Sequence, residues 1–345
     1  MPRSLRGKGI KMKNHLLLSG VLLSISLAAS ADPLSAWNET PAKKALMKWV
    51  EETTVPGSDD YIPLNKRYVV FDNDGTLWPQ SPVPVQIQFI MDEIKRLAPH
   101  HPEWKHSRLL SAAMNNDYRA VEKHGLDGLN TMLSKTHNGI SVDEYTNRVQ
   151  TWLKTAKNSR YGCYYNELNY LPMRQVLDYL REKGFKTWIV SSEGMDFMRV
   201  VSEEMFGIPP EQVIGSFSIS ELTMTNDGEK IIKTMKGPFK DTAINKPVAI
   251  HLFMGQRPVA AFGNDDTDQP MLRYSSRNPH YKTFAMTIED EMASKNASHQ
   301  GQAVSKAATR KESEKLSREW VNVNIQRDWS KVFENSACRL PDSDK

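Results

Sequence analysis

The ten residues VVFDNDGTLW, 69–78, decide how the chain is read. The run RYVVF, 67–71, is β-branched and aromatic, the composition of a short strand buried on both faces of a parallel sheet. It ends in Asp72 and Asp74, with Gly75 and Thr76 following at once. Side chains alternate along an extended chain, so Asp72 and Asp74 can project toward one region while Asn73 points away. Carboxylates this close make each other costlier to ionise. Chemistry offers a use for such a pair: one attacks an electrophile, while the other gives a proton to the leaving group and later takes one from water. Gly75 permits the tight turn such a strand exit needs. Taken singly, each acid also suits an Asx turn or a helix cap.

Two more apolar runs end in polar clusters, WIVSSEG at 188–194 and AAFGNDDTD at 260–268. Ligands of open parallel sheets bind at the carboxyl ends of strands, and polar residues bunched at three such ends point to an active site rather than to packing. Helical patterns alternate with these runs. Val83, Ile87, Ile90, Ile94 and Leu97 recur at three- and four-residue steps on one helix face. SVDE at 141–144 is a capping box, Pro172 suits a first helical turn, and Gly184 closes that helix. KTWIV, 186–190, is the second strand and QVIGSFSIS, 212–220, the next. LTMTNDGEKIIKTM, 222–235, reads as a hairpin turning at Asn226-Asp227-Gly228. RPVAAF and YKTFAMTI supply further strands, and VNVNIQRDWSKVF returns to the core. The alternation predicts an α/β domain with a mainly parallel sheet.

The formal charge is +4, yet the first 31 residues carry five basic side chains and no acidic one, which leaves −1 from Asp32 onward. That balance gives no electrostatic case for nucleic acid. The basic start precedes HLLLSGVLLSISLAASA, whose apolar core is short of the ~20 residues that span a bilayer. With Ala29-Ser30-Ala31 it reads as a signal peptide over 1–31, from Met1 or from Met12, cleaved before Asp32. The expectation is an exported protein, periplasmic in a Gram-negative bacterium, with no membrane association after cleavage. Cys163 and Cys338 are an even pair for such a compartment, and the sequence leaves open whether they are bridged.

The order and spacing of these motifs resemble the haloacid dehalogenase superfamily, on its phosphatase side and near an exported, phosphoserine-phosphatase-like subgroup. DNDGT at 72–76 fits the nucleophile motif, WIVSS at 188–192 the serine motif, Lys246 in AINKPVAI the lysine motif, and GNDDTDQPML at 263–272 the acidic motif. The resemblance implies a Rossmann-like core over 32–80 and 181–335, a helical cap inserted at 81–180, and a tail at 336–345. It makes Asp72 the nucleophile and Asp74 the general acid/base. Ser191 and Ser192 would hold the substrate phosphate, with Lys246 neutralising its charge and Lys240 the second candidate for that role. Mg2+ would be held by Asp72, Asp74, Asn264 and Asp268, with Asp265 in reserve. Asn264 departs from the acid usual in the family. The implied reaction is hydrolysis of a small phosphorylated metabolite through an aspartyl-phosphate, and Asp74 favours a phosphate ester over a halide, whose departure needs no proton. Transfer to an acceptor other than water, or phosphate-ligand binding without catalysis, are the alternatives. Tyr118, Trp152, Tyr161, Tyr164, Tyr165 and Tyr170 of the insertion read either as core or as a lining for a cationic head group. Trp78 either begins the link to the insertion or packs beneath it. Oligomeric state is not legible.

Overall fold

The computed structural model of the chain describes residues 31–290 and 319–340. The expected signal segment, the Ser/Lys/Ala/Gln-rich stretch at 296–318 and the last five residues lie outside them. In chain order, α1 (Pro41–Thr54) precedes β1 (Tyr68–Phe71), and helices alone fill the path to the next strand. These are α2 (Val85–Leu97), α3 (Arg108–Met114), α4 (Tyr118–Glu122), α5 (Gly125–Thr136), α6 (Val142–Thr155) and α7 (Leu171–Glu182), with short 3-10 turns between them. Then come β2 (Lys186–Gly194), α8 (Met195–Phe206), β3 (Val213–Thr225), β4 (Gly228–Phe239), α9 (Asn245–Met254), β5 (Ala260–Gly263), α10 (Gln269–Ser276), β6 (Phe284–Glu289), β7 (Val321–Asn324) and α11 (Ile325–Asp328).

The strands form one seven-stranded sheet in the order β4-β3-β2-β1-β5-β6-β7, parallel except for β4. Phe71 of β1 lies opposite Ile189 of β2 and Phe262 of β5, so the three polar strand exits emerge side by side. The chain runs one way from β1 through β2 to β4, then crosses to β5 on the other side of β1. That reversal opens a crevice at the carboxyl ends of the strands. Both faces of the sheet are covered. Val69 and Phe71 pack with α1, α2, α7 and α8, whereas Val70 joins Val190, Ala261, Ala249 and Leu272 beneath α9 and α10. Of the capping box expected at 141–144 the Ser141 half is present, its Oγ accepting from the Glu144 N–H at 3.1 Å, while the Glu144 carboxylate pairs with Arg148 instead; Pro172 lies in the first turn of α7. Among the described residues no helix is long and apolar enough to cross a membrane.

Two elements are longer than the sequence predicts. β2 runs past Val190 to Gly194, because the chain after the serines stays extended beside β3, with Gly194 opposite Ser216. The strand expected at 212–220 and the hairpin expected at 222–235 are one continuous arm, β3 and β4, paired from Phe217↔Phe239 to Thr225↔Gly228. Register shifts around Ile219 bend this arm away from the sheet. Its far part meets the inserted helices, where Gly139 N–H donates to the Lys233 carbonyl and Lys233 N–H to the Ile140 carbonyl, both at 2.9 Å. Cys163 and Cys338 are bridged, with Cα atoms 5.1 Å apart, which closes a span of 175 residues.

Candidate active site

The site is built on the three adjacent strand exits. Lys246, in the first turn of α9, is only 1% exposed and reaches under them. Its ammonium donates to Asp72 Oδ1 at 2.5 Å, to Asp268 Oδ1 at 2.6 Å and to the Val190 carbonyl at 3.0 Å. Burial works against this ammonium, but Asp268 and Asp72 outweigh it and hold its pKa above the usual lysine value. Burial and the Asp268 carboxylate push Asp72 up from the ordinary carboxylate range, and Lys246 pulls against them. Lys246, rather than Lys240, is the lysine that reaches both Asp72 and Asp268.

Asp74 is tethered differently. Its Oδ1 accepts from the indole N–H of Trp78, whose ring is fully buried with Phe197 and Phe206 edge-on to it. Trp78 thus packs beneath the site and orients one of its carboxyls. Burial, and then the neighbouring Glu193 carboxylate, push Asp74 well above the usual range, so it is suited to carry a proton. Glu193 accepts from Asn73 Nδ2 at 3.0 Å and from the Gln86 N–H at 3.1 Å, while Gln86 Oε1 accepts from the Gly194 N–H at 2.7 Å. This exchange ties the end of β2 to the exit of β1 and to the first turn of α2. Burial pushes Glu193 up to about 7.

Four oxygens converge where a cation would bind. Asp268 Oδ2 accepts from the Asn264 backbone N–H at 2.9 Å, which closes the β5 exit into a turn. The Asn264 side chain gives its amide nitrogen to Gln80 Oε1 at 2.9 Å. Its Oδ1 then faces the Asp74 carbonyl oxygen, Asp268 Oδ2 and Asp72 Oδ2 at 2.9, 3.2 and 3.3 Å. Such oxygens repel one another unless a cation lies among them or the amide turns to donate. An acidic oxygen set of this kind fits Mg2+ when Asn264 presents its oxygen, and the same distances are hydrogen bonds when it presents its nitrogen. Gly75 has φ +79°, and a Cβ there would come 2.0 Å from Asn264 Nδ2, so only glycine lets the two exits approach this closely.

The structure brings together most of the residues the sequence singled out. Asp72, Asp74, Lys246, Asn264 and Asp268 are in mutual contact, whereas Asp265 is exposed and accepts from the Thr267 N–H at 2.7 Å. Ser191 is 1% exposed, and its Oγ accepts from the Glu193 N–H at 3.2 Å, while Ser192 lines the cavity beside the aspartates. Lys240 lines the same cavity next to Asp241, whose N–H reaches Ser216 Oγ at 3.0 Å. The six aromatic residues of the insertion do not line it. Trp152 stacks on Tyr165, Tyr170 packs on Trp329, and Tyr161 meets Phe333. Trp78, Glu193, Gln86 and Asp241 were not assigned from sequence. Asp241 is fully buried, which pushes it up to about 7. Trp78 had one local signal, its position four residues after Asp74; the others meet their partners only through the fold.

A mostly parallel sheet covered on both faces, with acids at the crevice where the chain reverses direction, defines a Rossmann-like α/β core. The chain belongs to the haloacid dehalogenase-like hydrolase family, whose model matches residues 69–273, more than half of the chain. No curated protein matches the sequence. Among solved structures, a conserved functionally unknown protein from Anaerococcus prevotii DSM 20548 superposes with a TM-score of 0.52 at 13% identity, covering 84% of this chain and 93% of that one. A phosphoserine phosphohydrolase-like protein from Francisella tularensis subsp. tularensis SCHU S4 gives 0.37 at 17% identity, covering 76% and 95%. The former likeness supports the fold.

Proposed function

We propose that the protein is an exported, magnesium-dependent phosphatase acting on small phosphate monoesters. The observation that carries the reading is the unequal treatment of two carboxyls two positions apart. Burial pushes both carboxyls up, but Asp72 is salt-bridged to a buried ammonium that favours its ionised form, whereas Asp74 is held by an indole N–H and stands beside the Glu193 carboxylate, which favours its protonated form. Paired acids with separated environments are how one site supplies both a nucleophile and a proton donor.

In this reading an Asp72 carboxylate oxygen attacks phosphorus and the bond from phosphorus to the ester oxygen breaks, leaving an aspartyl-phosphate. Asp74 gives its proton to the departing alkoxide. Asp74, now ionised, takes a proton from the water that attacks the phosphorus, and inorganic phosphate leaves with Asp72 restored. Lys246 keeps Asp72 in place, and Ser192 with Lys240 faces the incoming phosphate. Charge stabilisation and positioning carry most of such a reaction. Mg2+, held by Asp72, the Asp74 carbonyl, Asn264 and Asp268, would neutralise phosphate charge. Residues 81–180 are the proposed cap over the site, with α2 and α5 contributing to its wall.

The purified protein is expected to release phosphate from a generic aryl phosphate with magnesium and not after chelation. An absence of magnesium-dependent turnover would overturn the reading.

A further inference from the structure

The cavity beside Asp72 and Asp74 encloses about 330 Å³, enough for a small organic molecule. Its wall changes character away from the strand ends. Ile87 and Ile90 on α2, Leu129 and Leu133 on α5, Phe197 on α8 and Met235 on β4 form an apolar arm. The α5 residues continue a stripe that begins at Leu126, which also lines the cavity and is 54% exposed. Leucines at 126, 129 and 133 share one helix face, and this face opens onto the cavity.

Asp72, Asp74, Glu193, Lys240 and Asp265 all sit on segments that leave the sheet edge. The lining also holds Asp196, two residues past the end of β2, and Lys233 of β4, which form an ion pair with each other next in sequence to Phe197 and near Met235, and the Lys233 ammonium lies 4.5 Å over the Tyr145 ring. His137 is buried and uncharged, its pKa pushed down to about 3 by burial and by Lys233 and Arg148. A substrate group bearing a carboxylate or an ammonium would find a counter-charge there only by breaking that ion pair.

We infer that the alcohol portion of the substrate is uncharged, apolar and extended: a phosphate monoester of an apolar alcohol, its phosphate at Asp72 and its carbon chain along the arm lined by α2, α5 and β4. This rests on the phosphatase reading above. Each methylene moved from water into the arm should improve recognition about fourfold, the worth of one buried CH2, until the arm is filled.

The test uses the full chain with magnesium and two matched series. The first is kcat/KM for n-alkyl phosphates from methyl to hexyl, with O-phosphoserine alongside. The second is calorimetric affinity for the corresponding n-alkylphosphonates, which cannot be hydrolysed. Both should climb with chain length, and O-phosphoserine should fall below the longer esters. Leu129→Asp should flatten both slopes and Leu129→Met should keep them. Turnover that is flat or falling with chain length, or that favours O-phosphoserine, overturns the inference and leaves the phosphatase intact. Phosphonate binding that climbs with chain length while no ester is hydrolysed supports the shape of the site and overturns the phosphatase reading. Loss of both slopes and of turnover overturns both.

Discussion

Replacing Trp78 by Phe removes one hydrogen bond from the proton donor and leaves a small cavity beside Phe197 and Phe206. The indole N–H donates from a fully buried ring to Oδ1 of the partly exposed Asp74, and the ring is braced by Phe197 and Phe206 at 6.5 and 6.0 Å. A hydrogen bond to a charged group contributes about 1.5–3 kcal/mol. Since Asp74 acts during bond breaking, the loss should fall on kcat, about 10- to 150-fold, with KM little changed. The pH profile should move as well. The indole N–H favours ionised Asp74, so its removal raises the Asp74 pKa. The step needs Asp74 protonated, so the alkaline limb of kcat/KM should shift to higher pH. Glu193→Gln should shift that limb the other way, because the Glu193 carboxylate raises the Asp74 pKa. Steady-state kinetics across pH, with circular dichroism to confirm folding, decide the matter. An intact Trp78→Phe enzyme with unchanged kcat and an unmoved alkaline limb would refute the role given to this contact.

Lys246→Met leaves Asp72 and Asp268 facing each other without their shared cation. Urea unfolding should show a loss of about 3–5 kcal/mol, and turnover should vanish. Gly75→Ala drives a Cβ against the Asn264 amide, so a magnesium titration of activity should show about 10- to 100-fold weaker metal dependence. The double variant Cys163→Ser, Cys338→Ser releases a 175-residue span, and thermal melts should report a loss of about 2–5 kcal/mol with KM unaltered in the folded fraction.

The parallel core was legible because its strands are apolar runs that stop at acids and serines, a signal carried entirely by local residues. Asp72 and Asp74 stood out by their place at the end of one such run, whereas Lys246, at the start of a helix, was singled out only through the family resemblance. The supports of the site were not legible in the same way. Glu193 lies within a quoted strand end, yet its partners Asn73 and Gln86 arrive from 120 and 107 residues away. The β3–β4 arm read as a strand and a detached hairpin because its register shifts interrupt the alternation near Ile219. Composition left open whether the aromatic residues of the insertion were core or lining, because the partners that bury Tyr161 and Tyr170, Phe333 and Trp329, come from the far end of the chain. The cavity wall instead uses aliphatic residues whose helical periodicity is the same as that of an ordinary core face.

The claim on which the account stands is that Asp72 carries the phosphoryl group. It is tested most directly by acid-quenching the protein during turnover of a phosphorus-labelled aryl phosphate with magnesium and locating the label by peptide mapping. The account predicts an acid-stable, hydroxylamine-labile phosphate on the peptide containing Asp72, and neither label nor turnover in Asp72→Asn. A correctly folded Asp72→Asn protein that still hydrolyses the ester would contradict it.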